Sequence, residues 1–112
     1  MAESTKSPAE VLEAAADLLE NPGAWTQGAH ARNAAGAPML LGSRLDAVCW
    51  CALGALDRVS PTNALWDASV QALKGVVGHI PGFNDAANRT QAEVVAALRE
   101  AARQASRRGG EA

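Results

Sequence analysis

The chain of 112 residues has no tyrosine, one phenylalanine (Phe83) and three tryptophans, so aromatic side chains make up only 4% of it. A broad sheet built on aromatic and β-branched residues is therefore not expected. The remaining apolar supply, Leu, Val and a large number of Ala, favours slim helices packed closely. Cysteine is equally scarce. Cys49 and Cys51 are the only two, and on a helix a spacing of two turns them about 200° apart, so they neither bridge each other nor share a metal. No C-x-x-C pair and no glycine-rich phosphate loop occurs. No apolar run approaches the roughly 18 to 20 residues of a membrane span, and no secretory leader is read at the N-terminus. The expectation is a soluble, cytoplasmic protein with reduced thiols. An excess of one charge is missing too, with Lys+Arg 10 against Asp+Glu 12 and a net charge of -2.

What is present is enough for one core, since 48% of the residues are hydrophobic. The spacing predicts a mainly α fold, four helices around a buried central helix with one β-hairpin, in a single domain over residues 7–106 flanked by flexible tails at 1–6 and 107–112. The central helix is read in Arg44 to Val59, the longest nearly uninterrupted apolar stretch. On a 3.6-residue period Val48, Ala52, Leu56 and Val59 share one face, with Ala47, Cys51 and Ala55 beside it. Gly54 inside that helix costs about 1 kcal/mol relative to Ala, which points to close approach by another backbone or a ring.

The other elements follow from start and stop signals. Ser7, Pro8 and Glu10 form a capping box with proline in the first turn, and Val11, Leu12, Ala15, Leu18 and Leu19 give that helix an apolar face until Asn21-Pro22-Gly23. From Trp25 to Leu41 the period becomes that of an extended chain. A hairpin is expected there, with its turn at Asn33 to Gly36 and Trp25 as its anchor on the helices. Ser60 is read as the cap of a third helix, on which Trp66, Val70, Leu73, Val77 and Ile80 make a narrow stripe. Gly82 to Arg89 reads as a polar loop around Phe83. Thr90 with Glu93 then makes a second capping box, opening a last helix with Val94, Val95, Leu98, Ala102 and Ala105 inward.

Trp25 with Gly28, the run Cys51-Ala-Leu-Gly-Ala-Leu56, Phe83-Asn84-Asp85, and Arg89-Thr90 followed by Glu93-Val94 resemble a family of small proteins from actinobacteria and their phages. The resemblance covers Trp25 to about Ala102 and is most specific in the cysteine-to-leucine run and the Asn-Asp-to-Arg-Thr segment. A Trp usually stands in that pattern where Phe83 stands here, which implies a reshaped aromatic pocket. The family has no established activity, so the resemblance implies structural roles and no catalytic residue. Its phage connection implies an accessory protein that binds or inhibits a host defence complex.

Chemistry has few candidates. Cys51 as a nucleophile would pair with His79 or His30 and be oriented by Asp85, but a thiol in the middle of a helix lacks the dipole that lowers its pKa. A small buried cysteine beside Gly54 and Ala55 also packs well without reacting. A zinc site from Cys49, Cys51, His30 and His79 is disfavoured, because ligands two apart on a helix diverge. Asn84 and Asp85 are binding candidates on a loop, although both residue types also make local turns. Arg99, Arg103 and Arg107, with Arg108, suggest a nucleic-acid face, weakened by the acidic balance and the lack of interleaved rings. Residues 1–20 hold five acids against Lys6 whereas 99–108 hold four arginines against Glu100, so the two ends either steer a charged partner or pair with each other.

The reading is accordingly a small non-enzymatic protein-interaction module without cofactor or metal, whose partner is another protein. A cysteine enzyme and a nucleic-acid accessory are the alternatives. Trp25, Cys51, Gly54, Trp66, Phe83, Thr90 and Glu93 are structural in this reading. A homodimer is expected through the third helix, where Leu65, Ala72 and Val76 widen the apolar seam beside Trp66 and Val70.

Overall fold

The structure, a computed structural model, describes residues 7–40 and 46–111. Helix α1 (Pro8–Glu20) begins at the capping box expected for it: Ser7 Oγ accepts from the Glu10 amide at 3.2 Å, and Glu10 Oε1 accepts from the Ser7 amide at 2.8 Å. Its apolar face, Val11, Leu12, Ala15, Ala16 and Leu19, is fully buried. Asn21 closes it by donating its side-chain amide to the Leu18 carbonyl. Gly23, at φ 77°, turns the chain into Trp25.

The expected hairpin is present but short. Strands β1 (Ala31–Asn33) and β2 (Pro38–Met39) pair antiparallel, Ala31 opposite Met39. Asn33 builds the turn by accepting the amides of both Ala35 and Ala37 on its side-chain oxygen, each at 3.0 Å. A third strand, β3 (Ala47–Trp50), lies on the other side of β1, giving the order β2-β1-β3. Ala31 faces Trp50 and Arg32 faces Cys49, with an irregularity before the Asn33 and Ala47 pair.

Strand β3 corrects the reading of residues 44–59 as one helix. Arg44 and Leu45 lie outside the described residues, and from Ala47 the chain is extended until α2 (Ala52–Val59) begins. Ala-Val-Cys-Trp has no periodicity strong enough to choose between strand and helix. Tertiary hydrogen bonds choose. Besides pairing with β1, Trp50 donates its amide to Ala24 at 2.7 Å and accepts from Thr26 at 3.0 Å, so it is held on both sides. Cys51 is therefore the extended N-cap of α2 and not a mid-helix residue.

Ser60, expected to start the third helix, instead ends α2, with its amide and its hydroxyl both bonded to the Leu56 carbonyl. Thr62 caps α3 (Asn63–Val77), accepting the Leu65 amide at 3.1 Å, and Gly78 at φ 77° ends it. The segment read as a polar loop begins with a short helix, α4 (Ile80–Asp85), so there are five helices among the described residues and not four. Its signal was inconspicuous because the cap is a histidine: His79 Nδ1 accepts the Gly82 amide, with Pro81 in the first turn. Helix α5 (Gln91–Glu111) opens on the expected Thr90 and Glu93 capping box and continues past Ser106 to Glu111.

Helices α1, α2, α3 and α5 share one core, in which Leu12, Leu19, Leu56, Leu73 and Leu98 are the largest fully buried apolar side chains. The fold is thus mainly α with a small antiparallel sheet. Val70 and Ala72 on α3 are buried in that core, so the side patch expected there is largely covered. Among the described residues the exposed large apolar side chains are Leu40 and Val48, both at the sheet.

Candidate functional site

Where the sheet meets α2 and α4, a polar clasp is organised on Asn84, whose side chain is 1% exposed. Its Oδ1 accepts from Trp25 Nε1 at 2.8 Å and from the Ala52 amide at 3.1 Å. Its Nδ2 donates to the Thr26 carbonyl at 3.1 Å and to Asp85 Oδ1 at 2.9 Å. All four hydrogen-bonding positions of the amide are used, as burial requires. Gln27 fastens the same corner by donating to the carbonyls of Asn84 and Ala86, and the Gly28 amide donates to Asp85 at 3.0 Å. Three segments far apart in sequence are locked by these bonds. Arg89 adds an outer clamp, with its Nε on the Phe83 carbonyl at 2.8 Å and its guanidinium 3.8 Å from the centre of the Phe83 ring.

Beside the clasp lies a cleft of about 320 Å³, the lower end of small-ligand sites. Ala29, Leu53, Ile80 and Pro81 make its apolar walls, and Cys51, His30 and Asp85 bring chemistry to it. Asp85 is exposed, whereas Cys51 is only 8% exposed. The Cys51 sulfur stands 4.0 Å from His30 Nδ1. Burial pushes the Cys51 thiol above the ordinary range, outweighing the amides of Gly54 and Leu53 that face it and lower it. The thiol is consequently neutral near pH 7, and its sulfur serves as the cap of α2, accepting from the Gly54 amide at 3.4 Å. The amides that usually stabilise a developing oxyanion at such a helix start are occupied. Cys51 donates to the His30 carbonyl and Ala52 to Asn84.

Gly54 shows why this corner is so close-fitting. A Cβ there would sit 1.9 Å from the His30 carbonyl oxygen, so the close backbone approach expected from the sequence is real and its partner is the residue just before β1.

The other candidates are distributed differently. His79 does not join Cys51 in this cleft; it lines a neighbouring one. Arg99 reaches α1, where it bonds Glu13, Asp17 and Glu20, and its guanidinium is held more firmly protonated by Asp17 and Glu13. Arg103 and Arg107 face Glu100 on their own helix. The basic stretch thus spends much of its charge within the molecule. Trp66, Phe83, Thr90 and Glu93 all lie in packed or capped positions. Among the described residues no group of three or more His, Cys, Asp or Glu is placed to hold a metal ion. Gln27 and Lys74 carry no local signal of a site, because their surroundings come from segments remote in the chain.

Fold and site together define a small mainly α domain that carries an apolar cleft against a saturated polar clasp. Within that class the chain belongs to DUF6197, a family of unknown function whose model matches residues 3–104. No curated protein and no solved structure matches it. No helix among the described residues is long and apolar enough to cross a membrane.

Proposed function

We propose that the protein is a small non-enzymatic interaction module whose cleft at Cys51, His30 and Asp85 receives a side chain from a protein partner. The observation that carries this reading is the apolar cleft with the Asp85 carboxylate exposed beside the clasp. An aliphatic stem fits the walls contributed by Leu53, Ile80 and Pro81, and a cationic head pairs with Asp85, which favours lysine or arginine on the partner. The setting follows the family resemblance, an accessory role against a host complex. Titration with N-acetyl-lysine amide, read at the Gly28 and Ala29 amides by NMR, tests the chemistry. Saturable shifts that disappear in Asp85→Asn support it, since the variant keeps an oxygen for Gly28 while losing the charge. Shifts of equal size from a neutral isostere reject it.

A second reading has one specific observation in its favour, the Cys51 sulfur at the start of α2 and 4.0 Å from His30 Nδ1. In a cysteine enzyme His30 takes the thiol proton as the sulfur attacks. Rapid labelling of Cys51 by iodoacetamide at neutral pH, lost in His30→Ala, selects that reading. Labelling that is slow and rises only with alkaline pH selects the binding module. The homodimer is proposed on a different face from the one expected, with Leu40 and Val48 as its apolar surface. A strictly monomeric mass in sedimentation at the highest attainable concentration rejects it.

A further inference from the structure

Back to back with the cleft just described is a second one of about 230 Å³, and Leu53, Ile80 and Pro81 line both. Its remaining lining is Val70, Trp66, Lys74 and His79. Three of these residues are hydrogen-bond donors, and none of the three has an acceptor for the group in question among the described residues. The Trp66 indole nitrogen is buried without a hydrogen-bond partner among the described residues, an unusual condition for a polar atom in a folded chain. The exposed Lys74 ammonium makes no ion pair among the described residues. His79 uses Nδ1 as an acceptor for the Gly82 amide at 3.1 Å, which places the proton of the neutral ring on Nε2 and makes that nitrogen a donor.

From this juxtaposition we infer a second binding site, for a carboxylate carried on a short apolar body. Three donors of which one is cationic match the lone pairs of a carboxylate, and Leu53, Val70, Ile80 and Pro81 suit an aliphatic stem. A phosphate dianion is a poorer match, because one ammonium is the only fixed positive charge and the walls are apolar. The indole nitrogen is shielded from solvent, so the ring must turn slightly for its N–H to reach the ligand. The same chemistry is found in a free short-chain acid and in the last residue of a polypeptide with an apolar side chain. This site does not depend on the reading of the Cys51 cleft, and different nuclei report the two.

The test is titration of the full chain with 4-methylpentanoate, read at the Trp66 indole N–H by NMR. Binding is expected to move that proton downfield, as a new acceptor does, while 4-methylpentanamide leaves it in place. Acetyl-Gly-Leu with a free carboxylate, compared with its C-terminal amide, distinguishes the sources. Tighter binding of the peptide acid than of the simple acid identifies a polypeptide terminus, and equal or weaker binding identifies a free acid. Lys74→Ala, an exposed substitution that leaves the fold intact, is expected to weaken the acid about two- to fivefold, the range of an exposed ion pair. Equal shifts from acid and amide overturn the inference. So does the absence of any shift at millimolar acid, or an affinity unchanged in Lys74→Ala.

Discussion

Two regions of this molecule are held together by different physics. Along the seam between α1 and α5, Leu12, Ala15 and Leu19 meet Leu98 and Ala101 in a shared apolar core, and Arg99 spreads over three carboxylates at the edge. At the corner of β1, β3, α2 and α4 the contacts are directional: Asn84 with all four bonds made, Gln27 on two carbonyls, and Gly54 pressed against the His30 carbonyl. Apolar burial is non-directional and roughly proportional to the area removed from water. Hydrogen bonds weaken steeply as the donor angle closes, and a backbone contact already at van der Waals distance cannot shorten, so both fix orientation. Both clefts sit at the exacting corner, where a fixed frame can hold a small ligand in one orientation.

The largest effect expected is at Gly54. Gly54→Ala places a methyl group 1.9 Å from a backbone oxygen that cannot rotate away, and the loss should reach about 3 kcal/mol or more. Thermal unfolding followed by circular dichroism checks it, and an unchanged melting temperature would show that the corner is more yielding than the seam. Next is Asn84→Ala, which strands the Trp25 indole N–H, the Ala52 amide and the Thr26 carbonyl. At about 1 to 3 kcal/mol for each orphaned group, partly relieved by water, about 4 kcal/mol is expected. Leu98→Ala, in the seam, should cost about 3 kcal/mol through its cavity, yet leave ligand-induced shifts at Gly28 and Ala29 intact. Asn84→Ala should abolish those shifts even where the protein stays folded. If both variants behave alike in the titration, the contrast between the regions fails.

Smaller effects sharpen the edges of the comparison. Arg99→Ala removes three ion pairs, but the arginine side chain is 27% exposed and its partners are more so. Screened by solvent, the network should contribute only about 0.5 to 1 kcal/mol, and denaturation in high salt should shrink the difference further. The smallest effect concerns acid. Glu93 is held below the ordinary carboxylate value of 4.5, first by the Thr90 amide and then by Arg89. A lowered folded pKa means that its contribution is fully present above the ordinary range and lost as pH falls through the folded value. Glu93→Gln should therefore flatten the acid limb of a stability curve below about pH 4.5, and a limb of unchanged slope would assign acid sensitivity to other carboxylates.

Much of the frame was legible because local chemistry announces it. Ser7 with Glu10 and Thr90 with Glu93 are reciprocal caps that close within one helical turn, so their residues appear together in the sequence. Asn33 and Gly36 define the turn between β1 and β2 in the same local way. Cys51 was misplaced for the opposite reason. Its helix start depends on β3 pairing with β1 and with residues 24 to 26, bonds that no pattern within 44–59 can reveal. As the N-cap of α2, Cys51 stands at the positive end of a helix dipole after all. Burial, rather than position in a helix, keeps the thiol neutral. Asn84 and Asp85 were recognisable as residues of interest, but their partners at Ala52, Gly28, Thr26 and Trp25 lie between 32 and 59 positions away in the chain.

By itself, the sequence determined the helical character of the domain, the caps and turn that bound its elements, and the need for a close neighbour at Gly54. These follow from periodicity and from side chains bonding their own backbone a few residues away. Only the tertiary structure decided that Ala47 to Trp50 is a strand, that Asn84 is an interior clasp, that Arg99 is neutralised on α1, and that Trp66, Lys74 and His79 surround one cleft. The physical reason is the same in each case: an ambiguous apolar run or a polar side chain takes its role from whichever partners the folded chain brings to it, and those partners are distant in sequence.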